Sequence, residues 1–343
     1  MMATTLQRWW YNNSLLVWLL LPFTLIFWSL SALRRLAFII GIKKQYKSKI
    51  PIVIVGNISV GGNGKTPLVI CLVEYFKAQG YTPVVLSRGY GGQQKDFPHV
   101  VTHNCPPGLV GDEPALLKNR LKCEVLIDPK RARACKYVEL NTDADIIICD
   151  DGLQHYALGR DIELCVIDKR GLGNGCLLPM GPLRESAKRL STVDTILFNA
   201  NDEQFAALQD KLLQNVSISS YQMRLKATHW VNLCNDEIKD VSYFSSFTDK
   251  SAISAILAMA GIGDPQRFFD TLDALNIAYK EAKSYPDHYH FSEIDIPQNY
   301  TVLMTEKDAI KCKHFAHKDC WYLRVDASID DAFYKSIEQK IKN

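Results

Sequence analysis

Short apolar runs alternate with longer segments of helical spacing along the middle of the chain. The runs are rich in valine, isoleucine and leucine and are bounded by glycine, proline or aspartate, which is typical of buried parallel strands. Strands are predicted at residues 52–55, 84–86, 124–127, 146–149, 163–167 and 195–198. Because helical patterns lie between several of them, the sequence predicts an α/β fold with a doubly wound, mostly parallel sheet.

A second group of elements follows toward the C-terminus. Residues 215–245 are predicted to form short strands and turns, 254–259 a strand, and 266–275 a helix. A second, smaller α/β lobe is therefore expected, and 343 residues are enough for two domains. The predicted organisation is an N-terminal apolar helix with a basic flank at 1–49, a larger α/β domain at 50–215 and the smaller lobe at 216–343.

The N-terminus departs from this alternating pattern. No charged residue occurs from Trp9 to Leu33, and the apolar run at 15–33 is close to the roughly 20 residues that cross a bilayer core. Basic residues then cluster within residues 34–49. A span with such a flank would leave the body of the protein in the cytoplasm.

Several interpretations of this run remain open: a membrane span, a helix lying in the interface, a signal peptide and a buried core helix. Pro22 can break the run into two shorter helices, and its tryptophans favour the headgroup level of a membrane. We predict membrane association, and the sequence does not separate a spanning helix from one that lies on the bilayer.

Composition narrows the class of protein further. Hydrophobic residues make up 47% of the chain and charged residues 22%, which excludes a disordered protein. The net charge of +3 is too small to indicate a nucleic-acid partner. Ten cysteines spread through a long chain fit a reducing compartment rather than a disulfide scaffold.

A glycine-rich loop carries most of the predicted chemistry. It follows the first predicted strand, ends in Gly-Lys-Thr and precedes residues with helical spacing, which is the order that a phosphate-binding loop requires. Ser59 stands where the strict pattern has glycine. We therefore predict that the domain at 50–215 binds a nucleotide, and that the Thr66 hydroxyl also binds Mg²⁺. The predicted nucleotide-binding residues are Ser59, Val60, Gly61, Gly62, Asn63, Gly64, Lys65 and Thr66.

A second strand end supports this prediction. The apolar run at 146–149 ends in Asp150 and Asp151, and carboxylates at the carboxyl end of a parallel strand face the ligand crevice. One of the two is expected to hold the Mg²⁺ of the nucleotide, directly or through water. The sequence does not say which.

Further motifs lie at Leu86–Gly92, Gly111–Pro114, Asp150–His155, Leu178–Glu185, Pro286–Tyr289 and Thr305–Ala309. Together with the Gly56–Pro67 loop they cover nearly the whole chain, and they resemble the motifs of the tetraacyldisaccharide 4′-kinases of lipid A biosynthesis. In this family the loop also lacks the glycine that Ser59 replaces. The resemblance implies transfer of the γ-phosphate of ATP, with Mg²⁺, to the 4′-hydroxyl of a tetraacylated glucosamine disaccharide 1-phosphate. The substrate would lie in the cytoplasmic leaflet of the bacterial inner membrane.

The acceptor hydroxyl must lose a proton, and the family suggests an Asp–His pair for this step. Asp112 and His288 match that pair, with Lys65 on the phosphates as the third catalytic candidate. Asp112 could instead cap a helix, and His288 could be an ordinary loop histidine beside His290. Glu113 is expected to help hold the Mg²⁺.

Substrate contacts are predicted more broadly. The candidates are Arg88, Tyr90, Gln154, His155, Arg184 and Lys307. Arg131 and Arg133 are expected to join a basic surface toward the lipid phosphate.

A membrane-associated P-loop ATPase or GTPase switch is the main alternative function, although Val60 stands where such proteins usually carry lysine. A non-enzymatic membrane anchor that binds nucleotide is a third possibility. A kinase is expected to phosphorylate the acylated disaccharide, whereas a switch or an anchor would leave it unchanged.

Overall fold

The computed structural model describes residues 2–12, 14–214, 218–246 and 255–342. The chain forms two compact units that are interleaved along the sequence. The first unit comprises Met1–Arg88, Asp128–Arg224 and Ser328–Asn343, and the second comprises Gly89–Ile127 and Leu225–Ala327. The division into consecutive segments 1–49, 50–215 and 216–343 stays a prediction.

Thirteen strands and ten α-helices lie within the described residues. The strands are β1 (Ile52–Gly56), β2 (Pro83–Ser87), β3 (His99–Val100), β4 (Glu124–Ile127), β5 (Ile146–Cys149), β6 (Ile162–Asp168), β7 (Thr195–Asn199), β8 (Ser219–Asn232), β9 (Ile238–Asp240), β10 (Ile256–Ala260), β11 (Glu281–Ser284), β12 (Thr301–Thr305) and β13 (Cys320–Ile329). The helices are α1 (Met2–Tyr11), α2 (Leu21–Ile39), α3 (Lys65–Ala78), α4 (Pro107–Val110), α5 (Asp112–Arg120), α6 (Arg131–Asn141), α7 (Asp202–Leu213), α8 (Gln266–Ala274), α9 (Glu306–Cys312) and α10 (Asp331–Lys342).

The first unit is built on a parallel sheet. Its strands lie in the order β2-β5-β1-β6-β7, followed by the start of β8, and each neighbouring pair is parallel. Strand β1 lies between β5 and β6, and all of its residues are buried. The predicted doubly wound, mostly parallel sheet is confirmed, and it places the carboxyl end of β1 at the centre of one edge.

The second unit carries its own parallel strands, in the order β11-β10-β12-β13. Antiparallel pairs β3–β4 and β8–β9 complete its strands. The predicted strand at 254–259 is β10, although residue 254 lies outside the described residues, and the predicted helix at 266–275 is α8. The prediction of short strands and turns for 215–245 is wrong at β8, which is one strand of 14 residues, and residues 215–217 lie outside the described residues.

The length of β8 follows from its packing. Polar and apolar side chains are mixed in its first half, so the sequence shows no uninterrupted apolar run there. Its last residues are buried, and Trp230 belongs to a core with Phe268, Leu272 and Trp321. The strand is therefore stabilised by partners distant in sequence rather than by its own pattern.

The N-terminal apolar segment lies on the first unit through a small contact. The Trp10 indole donates to the Pro179 carbonyl at 2.9 Å, and the Met180 amide donates to the Thr24 hydroxyl at 3.1 Å. Residues Leu15–Ile39 are long and apolar enough to cross a membrane, with a mean hydropathy of 2.1 and only 6% of the window buried. This exposure argues against the interpretation as a buried core helix.

Candidate active site

The glycine-rich loop connects β1 to α3 at the centre of the parallel sheet. Gly64 caps α3 with a φ of +97°, and a Cβ atom there would lie 2.6 Å from the Asn199 side-chain amide. Both the backbone conformation and the space therefore require glycine at this position. Gly61 and Gly62 are exposed, so the loop is open to a ligand.

Asn63 fixes the shape of this loop. Its carbonyl accepts a hydrogen bond from the Asn199 amide at 3.0 Å, and its side-chain oxygen accepts one from Arg170 at 3.1 Å. Its side-chain amide donates to the Ser59 hydroxyl at 3.0 Å. Because these bonds hold the loop in place, its amides are pre-arranged for an anion.

Lys65 begins α3 and points toward the end of the neighbouring strand β5. Its ammonium lies 3.5 Å from the carboxylate of Asp151, which also accepts hydrogen bonds from Arg184 at 3.0 and 3.2 Å. Burial raises the pKa of the Asp151 carboxyl, but the two cations lower it more, to about 2. Asp151 is therefore ionised at neutral pH, and its φ of +48° places it in the left-handed region.

Asp150 has a different environment from its neighbour. Its side chain is buried within 3.5 Å of the Ser87 hydroxyl, and its carbonyl accepts a hydrogen bond from Arg131 at 2.8 Å. Arg131 also donates to the Asp128 carbonyl at 3.1 Å and is only 2% exposed. The predicted basic surface is therefore wrong at Arg131, because that guanidinium supports backbone carbonyls. Arg133 forms two hydrogen bonds with the Asp128 carboxylate.

Two further candidates lie in the loop after β5. The Gln154 amide donates to the Asn57 carbonyl and to Glu185, each at 3.0 Å. Burial and the nearby Arg131 and Arg88 cations lower the pKa of His155 to about 4, so its imidazole is neutral at pH 7.

In the second unit, the loop after β2 packs backbone to backbone against the start of α5. A Cβ atom at Gly111 would lie 2.5 Å from the Tyr90 carbonyl oxygen, and one at Gly92 would lie 2.6 Å from the Leu109 carbonyl oxygen. Gly111 is the N-cap of α5, and Asp112 is its first helical residue. The interpretation of Asp112 as the helix cap is therefore wrong.

Asp112 and His288 lie next to each other in this unit, although they are far apart in sequence. The His288 Nδ1 atom lies 2.9 Å from an Asp112 carboxylate oxygen. His288 has a φ of +60°, a conformation that a residue with a side chain rarely adopts. The exposed Tyr90 ring contacts the imidazole edge to face, with centroids 5.8 Å apart. The structure thus brings together the pair that was predicted for proton transfer.

Lys307 lies beside this pair. Its ammonium is 2.8 Å from the carboxylate of Asp287, the residue before His288. Burial lowers the pKa of Lys307, but Asp287, Glu113 and Asp112 raise it more, so the net shift is upward. Lys307 is therefore a permanent cation among carboxylates.

Comparison with known proteins decides the family. The model of the tetraacyldisaccharide-1-P 4′-kinase family, LpxK, matches residues 16–342. The chain belongs to this family. It is 45% identical to a tetraacyldisaccharide 4′-kinase of Pseudoalteromonas atlantica, over 94% of this chain and 99% of that one. It is 43% identical to the enzyme of that name from Haemophilus influenzae, over 94% and 92% of the two chains.

A solved structure of the family is also similar. LpxK from Aquifex aeolicus, crystallised in complex with ATP, superposes with a TM-score of 0.80 at 25% identity, covering 95% of this chain and 100% of that one. This chain therefore has the fold of the family, in which a parallel sheet carries the phosphate-binding loop.

The residues predicted to hold Mg²⁺ fall in both units. The described residues contain no group of three or more His, Cys, Asp or Glu side chains that could hold a metal ion by themselves. Mg²⁺ bound to a nucleotide needs only one or two protein carboxylates, because phosphates and water complete its shell. The ionised Asp151 and the Thr66 hydroxyl in the first unit fit this requirement. Glu113 lies in the second unit, and its role stays a prediction.

Sequence reasoning missed the side chains that hold the loop. Asn199 ends β7, and Arg170, which pairs with Asp168, lies two residues after the end of β6. Both positions lie at the carboxyl ends of parallel strands, where ligand-binding residues of such sheets collect. That position was the available signal.

Proposed function

We propose that this member of the 4′-kinase family transfers the γ-phosphoryl group of ATP to the 4′-hydroxyl of a tetraacylated glucosamine disaccharide 1-phosphate. The observation that carries the proposal is the hydrogen-bonded pair of Asp112 and His288, 2.9 Å apart, in a chain that also has a P-loop. A nucleotide switch needs the loop but has no use for an acid–base pair that serves an acceptor alcohol.

Lys65 and the amides of Gly61–Gly64 are proposed to bind the phosphates. The loop is fixed before the ligand arrives, so its dipoles need little reorganisation as charge develops in the transition state. Thr66 and Asp151 would hold Mg²⁺, which when bound neutralises charge on the phosphates. Lys65 would exchange its contact with Asp151 for one with phosphate oxygens.

Asp112 is proposed to accept the proton of the acceptor hydroxyl. An isolated aspartate is a weak base, with a pKa of about 3.9, so a partner that shares the proton improves the step. The imidazole of His288 is placed for this at 2.9 Å from the carboxylate. Its φ of +60° is the kind of local strain that functional residues carry.

The substrate is proposed to come from the cytoplasmic leaflet of the inner membrane. The exposed apolar segment Leu15–Ile39 supports membrane attachment. The cytoplasmic side is proposed because ATP is available there. Arg88 and Tyr90 are exposed and suit contacts with the disaccharide and its phosphate. Gln154, His155 and Arg184 remain substrate candidates as well, and the role of Lys307 is taken up below.

The test is to incubate the purified protein in detergent with ATP, Mg²⁺ and the acylated disaccharide 1-phosphate. A product with one additional phosphate is expected by mass spectrometry, and ATP hydrolysis without it would refute the proposal. Asp112→Asn should lower kcat by roughly 100-fold or more while ATP still binds. Near-normal turnover in that variant would remove Asp112 as the base.

A further inference from the structure

Two consecutive residues at the start of α9 form ion pairs in different directions. Glu306 accepts a hydrogen bond from Arg120 at 2.6 Å, and Lys307 pairs with Asp287 at 2.8 Å. Arg120 ends α5, the helix that Asp112 begins. Asp287 immediately precedes His288. The two pairs therefore connect α9 to the elements that carry both members of the proposed proton-transfer pair.

Three of the four side chains in these ion pairs are shielded from solvent. Those of Arg120, Glu306 and Lys307 are 2%, 17% and 19% exposed, whereas that of Asp287 is 41% exposed. Arg120 also pairs with Asp326 on β13. In contrast, the surface pair between Lys283 and Glu281 is 3.8 Å apart and more than 40% exposed on both sides. Shielded pairs restrict geometry more strongly than exposed ones, which are screened by water.

The start of α9 is itself held firmly. Thr305 caps the helix, and its hydroxyl donates to the Asp308 carboxylate at 2.6 Å. The same Asp308 oxygen accepts the Gly261 amide at 2.8 Å, and Asp308 is fully buried. The backbone that carries Glu306 and Lys307 is therefore held in place, so these two side chains restrict the positions of Arg120 and Asp287.

The contact of Lys307 reaches His288 through a single oxygen atom. The Asp287 Oδ1 atom accepts the His288 backbone amide at 3.1 Å and also binds the Lys307 ammonium at 2.8 Å. His288 is held in the left-handed region, which persists only where the surroundings enforce it. Lys307 orients the carboxylate that enforces it.

We infer that Lys307, supported by Glu306, is a positioning residue that holds the His288 imidazole against Asp112. This inference rests on the proposed roles of Asp112 and His288. It differs from the direct substrate contact predicted for Lys307 from the sequence. A positioning residue affects the chemical step, whereas a contact that only binds substrate affects KM.

The experiment compares Lys307→Met, Lys307→Arg, Asp287→Asn and the Lys307→Met/Asp287→Asn double variant in the lipid kinase assay. Lys307→Met should lower kcat roughly 10- to 100-fold, with KM for both substrates within about twofold, because small misplacements of reacting groups are costly. Lys307→Arg keeps the cation and should recover most of the loss. The double variant should be no worse than Lys307→Met alone, since both changes break one interaction.

Lys283→Met is the matched control, because it removes a lysine from an exposed pair in the same unit. It should leave kcat unchanged.

A raised KM for the lipid with normal kcat in Lys307→Met would overturn the inference in favour of substrate contact, and additive losses in the double variant would also overturn it. If Lys307→Met does not fold, Glu306→Gln replaces it, with a smaller loss of kcat expected and normal kcat counting against the inference. His288→Gln is measured alongside: normal turnover there would defeat the proposed proton-transfer pair, independently of the Lys307 result.

Discussion

Gly111 offers a sharp test of how the backbone positions Asp112. Its φ is +96° with a ψ of 152°, a region that essentially only glycine occupies. A Cβ atom there would lie 2.5 Å from the Tyr90 carbonyl oxygen, and that neighbour is backbone rather than a flexible side chain. Gly111→Ala must therefore strain the residue before Asp112 or push the 89–92 loop away.

The magnitude follows from these two effects. A side chain in this part of φ/ψ space costs about 1–3 kcal/mol, and the close approach adds to that. The lower entropy of the unfolded alanine variant returns about 0.4–1 kcal/mol. A net loss of about 1–3 kcal/mol in the free energy of unfolding is expected. If the loop moves by about 1 Å, kcat should fall by up to roughly 100-fold, since Asp112 is the proposed base and Tyr90 a proposed substrate contact.

Gly108 supplies the matched control. It lies in the short helix α4, three residues earlier, and a Cβ atom there meets no atom within 4 Å. Gly108→Ala should be neutral or stabilising, because alanine is the better helix former. Urea unfolding and lipid kinase turnover are measured for both variants in detergent. If Gly111→Ala matched Gly108→Ala in both measurements, the close backbone approach would have no role in positioning the site.

Two further predictions concern the first unit. Because burial and the Arg131 and Arg88 cations lower the pKa of His155 from 6.5 to about 4, the unfolded chain binds the proton more readily, so this group costs stability as the pH falls from 6.5 toward 4. His155→Gln should reduce the loss in the free energy of unfolding between pH 7.5 and 4.5 by about 1–3 kcal/mol, as measured by urea unfolding. The control is His103→Gln, which changes an exposed histidine. An unchanged pH dependence in His155→Gln would contradict the burial of a neutral imidazole. On α2, Ile26, Leu30 and Leu33 are 59%, 64% and 63% exposed and should each contribute about 1–2 kcal/mol to membrane attachment. The variant in which all three are changed to glutamine should be found in the supernatant after centrifugation of membranes, whereas the control Leu140→Gln should remain in the membrane pellet. If the triple variant remained in the pellet, the attachment would lie elsewhere.

The sequence predicted those parts of the fold that depend on local patterns. Buried parallel strands such as β1 and β5 contain uninterrupted β-branched runs, and the phosphate loop lies between recognisable elements. The pairing of Asp112 with His288 was predicted only through the family resemblance, because no local pattern relates residues 176 positions apart. Their roles, like those of the other site candidates, stay predictions.

What the sequence could not predict depends on partners that are distant along the chain. Arg131 resembles a surface residue in its basic segment, yet its guanidinium binds the carbonyls of Asp128 and Asp150 in the interior. Likewise, the sequence predicts that Gly89–Ile127 continues the first sheet, but this segment belongs to the second compact unit. Burial of a charged group or the exchange of a segment between units is decided by tertiary packing, which side-chain periodicity does not encode.

Backbone strain and charge coincide in two parts of the molecule, one in each unit. Among the described residues, five that are not glycine have a positive φ, and two of these are Asp151 and His288. Such conformations cost about 1–3 kcal/mol each and persist only when their surroundings enforce them. Lys65 and Arg184 hold Asp151, and Lys307 holds His288 through Asp287. The same cations that set the charge of each part thus also maintain its geometry, so neutralising one of them should disturb position as well as electrostatics.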